Sequence, residues 1–199
     1  MRAAHLAEFV ASEAALTALG GDPVMARLIR RHGRARWGVH GVFPALVRAV
    51  VGQQVSNRAA RAIFRRLHAA TGSEPRRLLA LGEAGLGGLG VSRAKARTLR
   101  ALAEAAAAGA FAGFERLPDE AVRARLLAFK GVGPWTVEMV LIFGLGRQDV
   151  WPAADLGLVR QAMRHYRLSS RRDVAELGAR FAPYRSVAAH YLWAENDAP

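Results

Sequence analysis

Residues Leu126–Asp155 read LLAFKGVGPWTVEMVLIFGLGRQDVWPAAD, and this stretch decides the fold. A Lys-Gly-Val-Gly turn at 130–133 separates two apolar segments, 126–129 and 135–143. The glycines on either side of the valine permit positive φ on both sides of a buried anchor. Pro134 suits the first turn of a helix, where its missing N–H is no loss. The stretch therefore predicts a helix, a tight hairpin and a second helix, followed by a loop that ends in a lone carboxylate.

The start of the second helix would expose unpaired backbone N–H groups at the positive end of the helix dipole, an arrangement that binds phosphate. An ordinary corner between two helices is the alternative, and the turn alone leaves it open. Asp155 has a similar alternative, because it is a good N-cap for a helix that begins at Leu156. Trp193, taken alone, fits a residue of the hydrophobic core.

The charge of the chain favours a polyanionic partner. It has 199 residues and a net charge of +13, from 29 basic and 16 acidic side chains. All the basic residues except Lys95 and Lys130 are arginines, and they are spread along the chain. This distribution indicates a folded basic face rather than a disordered basic tail.

The composition also excludes several kinds of site. Because the chain has no cysteine, it has no disulfide, Cys-ligated zinc or iron–sulfur cluster. Its six histidines show no metal-ligand spacing, so we predict no side-chain metal site and no cofactor. The N-terminal stretch carries Glu8 and Glu13 and predicts an amphipathic helix, not a signal peptide. No run reaches the roughly 20 apolar residues of a membrane span, so we expect a cytoplasmic protein without a membrane partner.

Apolar residues recur at a helical period through nearly the whole chain, so the sequence predicts an all-α fold. Runs that alternate between apolar and polar residues are absent. Gly33–Gly41 is predicted as a loop that holds Trp37. The predicted helices cover 5–19, 23–31, 43–70 with an interruption at 52–56, 75–82, 92–108, 119 into the hairpin, 156–166, one that opens at 170–173 and ends before Pro183, and 186–195.

A second stretch, Leu86–Leu102, repeats the order of the hairpin: apolar residues, glycine and a helix start with a basic residue. A glycine-rich turn is predicted at 85–90. The turn is either a second corner that binds a phosphate backbone, or a helix capped by Ser92 with a solvated basic face. Both interpretations remain open from the sequence.

From Phe43 onward the chain resembles the helix–hairpin–helix DNA glycosylases, in particular their AlkA-like 3-methyladenine DNA glycosylase II branch. The resemblance implies a six-helix middle domain at 42–147, with the hairpin. A second helical domain would combine 1–41 with 148–199, and the active-site cleft would lie between the two. The N-terminal β domain of some members would be lacking. Five collinear motifs carry the resemblance: VVGQQVS (50–56), LGVSRAKARTLRAL (89–102), LLAFKGVGPWTVEMVL (126–141), DVWPAADLGL (149–158) and YRSVAAHYLW (184–193).

The resemblance implies a role for each matched residue. Asp155 would be the catalytic carboxylate, and Trp135 stands where strand-cleaving relatives have a lysine nucleophile. In some members the carbonyl oxygens of the hairpin also bind a monovalent cation. The remaining roles are the base pocket (Trp135, Trp193, and Met139 and Leu156 in place of tyrosines), the wedge toward the partner base (Gln54 with Gln53) and the DNA backbone (Lys130, Gly131, Val132, Gly133 and Thr136).

The resemblance predicts a monomeric, nucleoid-associated enzyme of base excision repair that acts on double-stranded DNA with alkylated bases. It would flip out alkylated purines such as 3-methyladenine and 7-methylguanine and hydrolyse the N-glycosidic bond. The product would be an abasic site, without lyase activity. Two alternatives are a non-enzymatic helix–hairpin–helix DNA-binding module and a sister glycosylase for other damaged bases.

Overall fold

A computed structural model describes residues 7–196, which are mainly helical. Two short 3₁₀ helices lie at Phe114–Arg116 and Gly178–Phe181. The other elements are β1 Ala7–Val10, α1 Glu13–Gly20, α2 Pro23–His32, β2 Arg36–Val39, α3 Val42–Gly52, α4 Asn57–Thr71, α5 Pro75–Gly88, α6 Arg93–Ala107, α7 Asp119–Leu127, α8 Pro134–Phe143, α9 Leu156–Tyr166, α10 Arg171–Leu177 and α11 Arg185–Ala194.

The first of two compact units spans His40–Leu145 and is built around α8. Helix α8 buries residues on all its sides, which marks a central helix. It packs against α3 and α7, while α6 packs against α3 and α5. Burial of each large aliphatic side chain in this core contributes roughly 1.5–3 kcal/mol. The hairpin is therefore attached to the start of one of the two most buried helices of the unit, the other being α3.

The second unit combines Ala7–Val39 with residues 146–196, so both ends of the described chain contribute to it. Helix α11 packs against α2 and α9. Tyr191 of α11 is fully buried, and its hydroxyl donates to the Gly33 carbonyl at 2.9 Å and accepts from the Ala35 N–H at 3.1 Å. These bonds attach the N-terminal segment to the last helix.

The predicted N-terminal helix and the predicted loop at Gly33–Gly41 are both partly wrong. Ala7–Val10 and Arg36–Val39 form a two-stranded antiparallel ribbon, and the Phe9 and Trp37 rings stack with centroids 3.9 Å apart. The helix starts only after Ser12, whose hydroxyl accepts from the Ala15 N–H at 3.1 Å. The ribbon depends on a partner strand far along the chain, which local periodicity does not register. The first predicted helical residues, 5 and 6, lie outside the described residues.

The predicted glycine-rich turn at 85–90 is also shorter than expected. Helix α5 continues to Gly88, with a kink at Gly82, where φ is 61° and ψ is −177°. Two amides of the turn that follows bond to carbonyls at the end of α5. The Gly90 N–H donates to the Gly87 carbonyl, and the Val91 N–H donates to the Leu86 carbonyl. Ser92 accepts from the Lys95 N–H at 3.4 Å. This corner is thus a capped helix start whose Gly90 and Val91 amides already have partners, and a second phosphate-binding turn stays a prediction.

The all-α prediction is confirmed, with the small ribbon as the addition. The predicted domain limits stay a prediction, as does a cleft between the two parts. In the part of the chain that the structure describes, every helix is too short or too polar to cross a lipid bilayer.

Candidate active site

The hairpin between α7 and α8 requires glycine at one position for two reasons. Gly131 has φ of +90°, in the left-handed region that favours glycine. A Cβ at Gly131 would also lie only 2.1 Å from the Thr98 hydroxyl oxygen of α6. That hydroxyl lies 3.2 Å from the Lys130 carbonyl, to which it can donate. Val132 beside it is 7% exposed and anchors the turn in the core.

The second glycine of the hairpin differs from the first. Gly133 has φ of −107° and ψ of 176°, an extended conformation open to any residue, so the predicted positive φ is wrong at this position. A Cβ at Gly133 would meet no atom within 4 Å. Within residues 7–196, the N–H groups of Gly131 and Gly133 donate to no protein acceptor. The missing side chain at Gly133 therefore leaves the surface open to a ligand instead of serving the fold.

Gln53 joins the end of α3 to the hairpin. Its Nε2 donates to the Gly131 carbonyl at 3.0 Å and to the Thr136 hydroxyl at 2.9 Å. Thr136 is 1% exposed, so the first turn of α8 and the hairpin are tied together by a partly buried amide. The Lys130 and Gly131 carbonyls both have protein donors nearby. A cation at the hairpin carbonyls stays a prediction, and we assign it no step.

Lys95 supports the same region from α6. Its ammonium donates to the Val51 and Gln53 carbonyls at 2.8 and 2.7 Å, where α3 ends. Burial lowers the pKa of this ammonium. A cation at the C-terminal end of a helix also interacts favourably with the helix dipole. Lys95 therefore holds the loop that follows α3, a role that the solvated basic face predicted for α6 did not include.

In the second unit, the carboxylate of Asp155 is held by two donors. Its Oδ1 accepts from the Leu158 N–H at 2.7 Å and from the Trp193 indole N–H at 2.8 Å. Asp155 is therefore the N-cap of α9, and the indole of α11 contacts the same oxygen. Two donors on one oxygen fix the plane of the carboxylate. The absence of a side chain at Gly157 leaves room beside this carboxylate. A Cβ there would lie 3.2 Å from Asp155 Oδ1 and 2.8 Å from the Asn196 amide nitrogen.

The loop before Asp155 is fastened to the start of α11. Arg185 makes a two-point contact with Asp149, with distances of 2.7 and 2.8 Å. The hydrogen bond from Arg185 holds the pKa of the Asp149 carboxyl below its ordinary value. Ser186 adds a bond from the Val150 N–H at 3.0 Å and donates to the Arg147 carbonyl at 2.7 Å. The segment that leads to Asp155 thus has a defined position relative to Trp193.

Residues 47–183 match the model of a family described as "HhH-GPD superfamily base excision DNA repair protein". The match covers more than half of the chain and includes the hairpin, Gln53 and Asp155. The chain belongs to the HhH-GPD superfamily.

Individual relatives agree with this membership. The chain is 35% identical to DNA-3-methyladenine glycosylase 1 of Schizosaccharomyces pombe, over 76% of this chain and 71% of that protein. It is 34% identical to a probable bifunctional transcriptional activator/DNA repair enzyme AlkA of Mycobacterium tuberculosis, over 94% of this chain. It spans 40% of the length of that protein. A solved structure of the S. pombe enzyme Mag1 in complex with abasic DNA superimposes with a TM-score of 0.83 at 33% identity, over 90% of this chain and 95% of that one.

The structure distributes the predicted HhH-GPD site residues over both units. The hairpin, Thr136, Gln53 and Trp135 belong to the first unit, whereas Asp155, Leu156 and Trp193 belong to the second. Trp135 is half-buried in the first turn of α8, and a Cβ on Gly52 would lie 3.8 Å from its ring.

The two residues predicted in place of tyrosines differ sharply in exposure. Leu156 is 68% exposed directly after Asp155, which is unusual for a large apolar side chain. Met139 is only 8% exposed, so most of its side chain is buried in the hydrophobic core. A pocket role for either residue stays a prediction, and Leu156 offers far more surface for it.

The loop after α3 separates the two predicted wedge residues. Gln53 faces the hairpin, while Gln54 is exposed with a positive φ of 52°. Val55, which the sequence did not single out, is 37% exposed beside it. Sequence reasoning also missed Thr98 and Lys95 as supports of the hairpin. Their signal lies in the fold, since each reaches its partner from a helix that is distant in sequence.

Proposed function

We propose that this HhH-GPD protein is a monofunctional DNA glycosylase that removes alkylated purines, such as 3-methyladenine and 7-methylguanine, and leaves an abasic site. The observation that carries the proposal is the Asp155 carboxylate, held by the Leu158 amide and the Trp193 indole. A DNA-binding module needs no such carboxylate. The S. pombe relatives, which are named as 3-methyladenine DNA glycosylases, support the substrate class.

Binding begins at the hairpin. The N–H groups of Gly131 and Gly133 lie beside the start of α8, where the helix dipole favours an anion. We assign them to phosphates next to the lesion, with Lys130 and Val132 as their neighbours in the turn. The net charge of +13 adds a long-range attraction to double-stranded DNA. We infer a monomer for this role, since one hairpin and one carboxylate suffice.

The target base must then leave the stack, at a cost of a few kcal/mol. Gln54 is suited to fill the gap, because it is exposed and follows a residue whose amide is already tied to the hairpin. Its own amide can hydrogen-bond the base left behind. The rate of excision is therefore expected to depend on the partner base.

Cleavage of the N-glycosidic bond develops positive charge on the sugar. A fixed carboxylate stabilises that charge and can orient or deprotonate the attacking water. We assign this role to Asp155. The bond breaks as a water oxygen adds to the sugar C1′, the base departs with the bonding electrons and the water loses its proton.

The residue two positions after Gly133 determines the product. Trp135 has no amine, so it cannot form a Schiff base with the sugar. The reaction therefore stops at hydrolysis and leaves the DNA strand intact at the abasic site.

Aromatic and apolar side chains fit an alkylated base. Alkylation at N3 or N7 makes the base cationic and a good leaving group, and a cation over an aromatic face gains about 0.5–2 kcal/mol. We assign the aromatic faces to Trp135 and Trp193, and an apolar contact to Leu156. A neutral damaged base gains less from these faces, so we expect it to be removed more slowly.

Incubation of the full chain with a duplex that contains methylated purines tests the proposal. Chromatography should detect free 3-methyladenine and 7-methylguanine, and the strand should break only after a later alkali treatment. Release of oxidised bases instead would favour a sister glycosylase. DNA binding with no base release would favour the non-enzymatic module.

Trp193→Phe separates the two roles of the indole. Phenylalanine keeps an aromatic face but loses the N–H that donates to Asp155 Oδ1. Loss of one hydrogen bond to a charged group should lower kcat about tenfold or more, with little change in KM. Single-turnover excision and substrate titration measure both constants.

Trp193→Leu is the control, since it removes both the donor and the face and should raise KM as well. A Trp193→Phe variant with wild-type kcat would show that the indole acts only through its face.

A further inference from the structure

We propose that a row of exposed arginines on α4 is a second DNA-contact surface, which binds phosphates of the strand opposite the damaged base. The row consists of Arg58, Arg61 and Arg65 and is called the basic ridge below. The inference rests on the proposed function and extends it to the partner strand.

The spacing and exposure of the ridge suit an extended polyanion. Its residues are three and four positions apart, so they share one face of the helix, and all three are exposed. From Arg58 to Arg65 the helix rises about 10 Å, which equals roughly three base pairs at about 3.4 Å each. The ridge can therefore reach at least two neighbouring phosphates of one strand.

The chain provides no acidic neighbours for this face along the sequence. Residues 23–73 contain ten arginines and not one aspartate or glutamate. Arginines on other helices have carboxylate partners, as Arg100 has Glu83 and Glu104, and Arg172 has Glu176. In the described part of the molecule, Arg58 and Arg65 make no ion pair. Like charges on adjacent turns repel each other, so a ligand phosphate would relieve this repulsion.

A neighbouring helix concentrates the positive charge further. The pKa of Arg48 on α3 is lowered by burial and by the charge of Arg61. Two guanidinium groups from different helices therefore lie close enough to influence each other. Such a concentration of one sign of charge attracts a polyanion and strengthens its binding at low salt.

The connection to the hairpin indicates which strand the ridge contacts. Gln53 is bonded to the hairpin, Gln54 follows, and α4 begins at Asn57. If the hairpin holds the damaged strand and Gln54 enters the stack, the chain before Gln54 lies on the damaged strand's side. The chain that leaves the inserted residue then lies on the side of the partner strand. Helix α4 starts there, with Arg58 in its first turn.

Binding measurements on duplex and single-stranded DNA test the ridge. The ridge variant is Arg58→Gln with Arg65→Gln. The control is Arg116→Gln with Arg172→Gln, which removes the same charge from side chains that are each 86% exposed. The ligand is a duplex with an abasic-site analogue, titrated over a range of KCl concentrations.

The ridge variant should bind the duplex about tenfold or more weakly, and the slope of log K against log salt should fall by about 1.8, or 0.9 per lost phosphate contact. The control should change both quantities much less. Binding of the damaged strand alone should be the same for the ridge variant and the wild type. Thermal unfolding should show that all the proteins remain folded.

Neutral methylphosphonates provide the decisive arm. Placed in the partner strand, they should weaken DNA binding by the wild type and leave the affinity of the ridge variant nearly unchanged. An equal loss of duplex affinity in the ridge variant and the control would show a general effect of net charge and overturn the proposal. So would a loss confined to methylphosphonates in the damaged strand. These outcomes are separate from the proposed function, which fails only if wild-type protein releases no alkylated base.

Discussion

Asp155→Asn is expected to lower the rate of base release by about 100–1,000-fold, the loss seen when a preorganised electrostatic group is removed. The substitution removes the negative charge but keeps an oxygen at Oδ1. Asparagine caps a helix as well as aspartate does, so the bonds from Leu158 and Trp193 can both remain. The loss should therefore appear in kcat, not in folding or in DNA affinity. Single-turnover release of 3-methyladenine measures it.

Asp155→Ala is the matched comparison. It removes the charge and the cap together, and loss of a cap costs about 0.5–2 kcal/mol of stability. Both variants should show the large loss of base release, but only the alanine variant should unfold at a lower temperature. Substantial activity in Asp155→Asn would show that the carboxylate is structural and that another group acts on the sugar.

Substitution of the two hairpin glycines should separate folding from DNA binding. Gly131→Ala forces a Cβ into the left-handed region and onto the Thr98 hydroxyl. We expect a loss of at least about 3 kcal/mol of unfolding free energy. Gly133→Ala adds a methyl group where φ is allowed and no protein atom is near, so stability should change by less than about 0.5 kcal/mol.

Gly133→Ala should weaken DNA binding although the protein keeps its fold. In Gly133→Ala the new methyl group stands where a phosphate is proposed to approach, and affinity should fall about tenfold or more through lost charge-assisted hydrogen bonds. Thermal unfolding and fluorescence anisotropy with an abasic duplex give both quantities on the same samples. If Gly133→Ala binds DNA like the wild type, the second glycine is not a contact site.

The supports of the hairpin explain why its geometry can be so specific. Lys95 holds the end of α3, the Gln53 side chain holds the hairpin, and Thr98 packs beneath Gly131. These contacts come from α6 and from the end of α3, both in the first unit. They place two amide donors on a rigid scaffold, so little order has to be gained when a phosphate binds.

Much of the fold was predictable because its signals are local. Asp22 and Ser170 cap their helices as their sequence positions indicate, and Pro134 opens α8. Each of these signals acts within one helical turn, where the chain cannot avoid the contact. The helix boundaries near such residues were therefore close to the observed ones.

The errors arose where partners are distant in sequence. The ribbon of Ala7–Val10 needs Arg36–Val39 as its partner strand. Gly133 shows a different limit. A glycine in a turn is compatible with either sign of φ, so the pattern could not tell which glycine the backbone needs and which one the surface leaves open.

The sequence by itself determined the helical periodicity, the helix–hairpin–helix stretch, the basic charge and the chemical identity of Asp155 and Trp135. These are properties of residues and their neighbours along the chain. Only the tertiary structure decided that Gln53 is bonded to the hairpin and that Trp193 donates to Asp155 across 38 positions. Such bonds depend on how helices pack, and packing is a sum of many weak contacts between residues far apart in sequence. The hairpin at 130–133 is thus local in origin, while its rigidity comes from the helices around it.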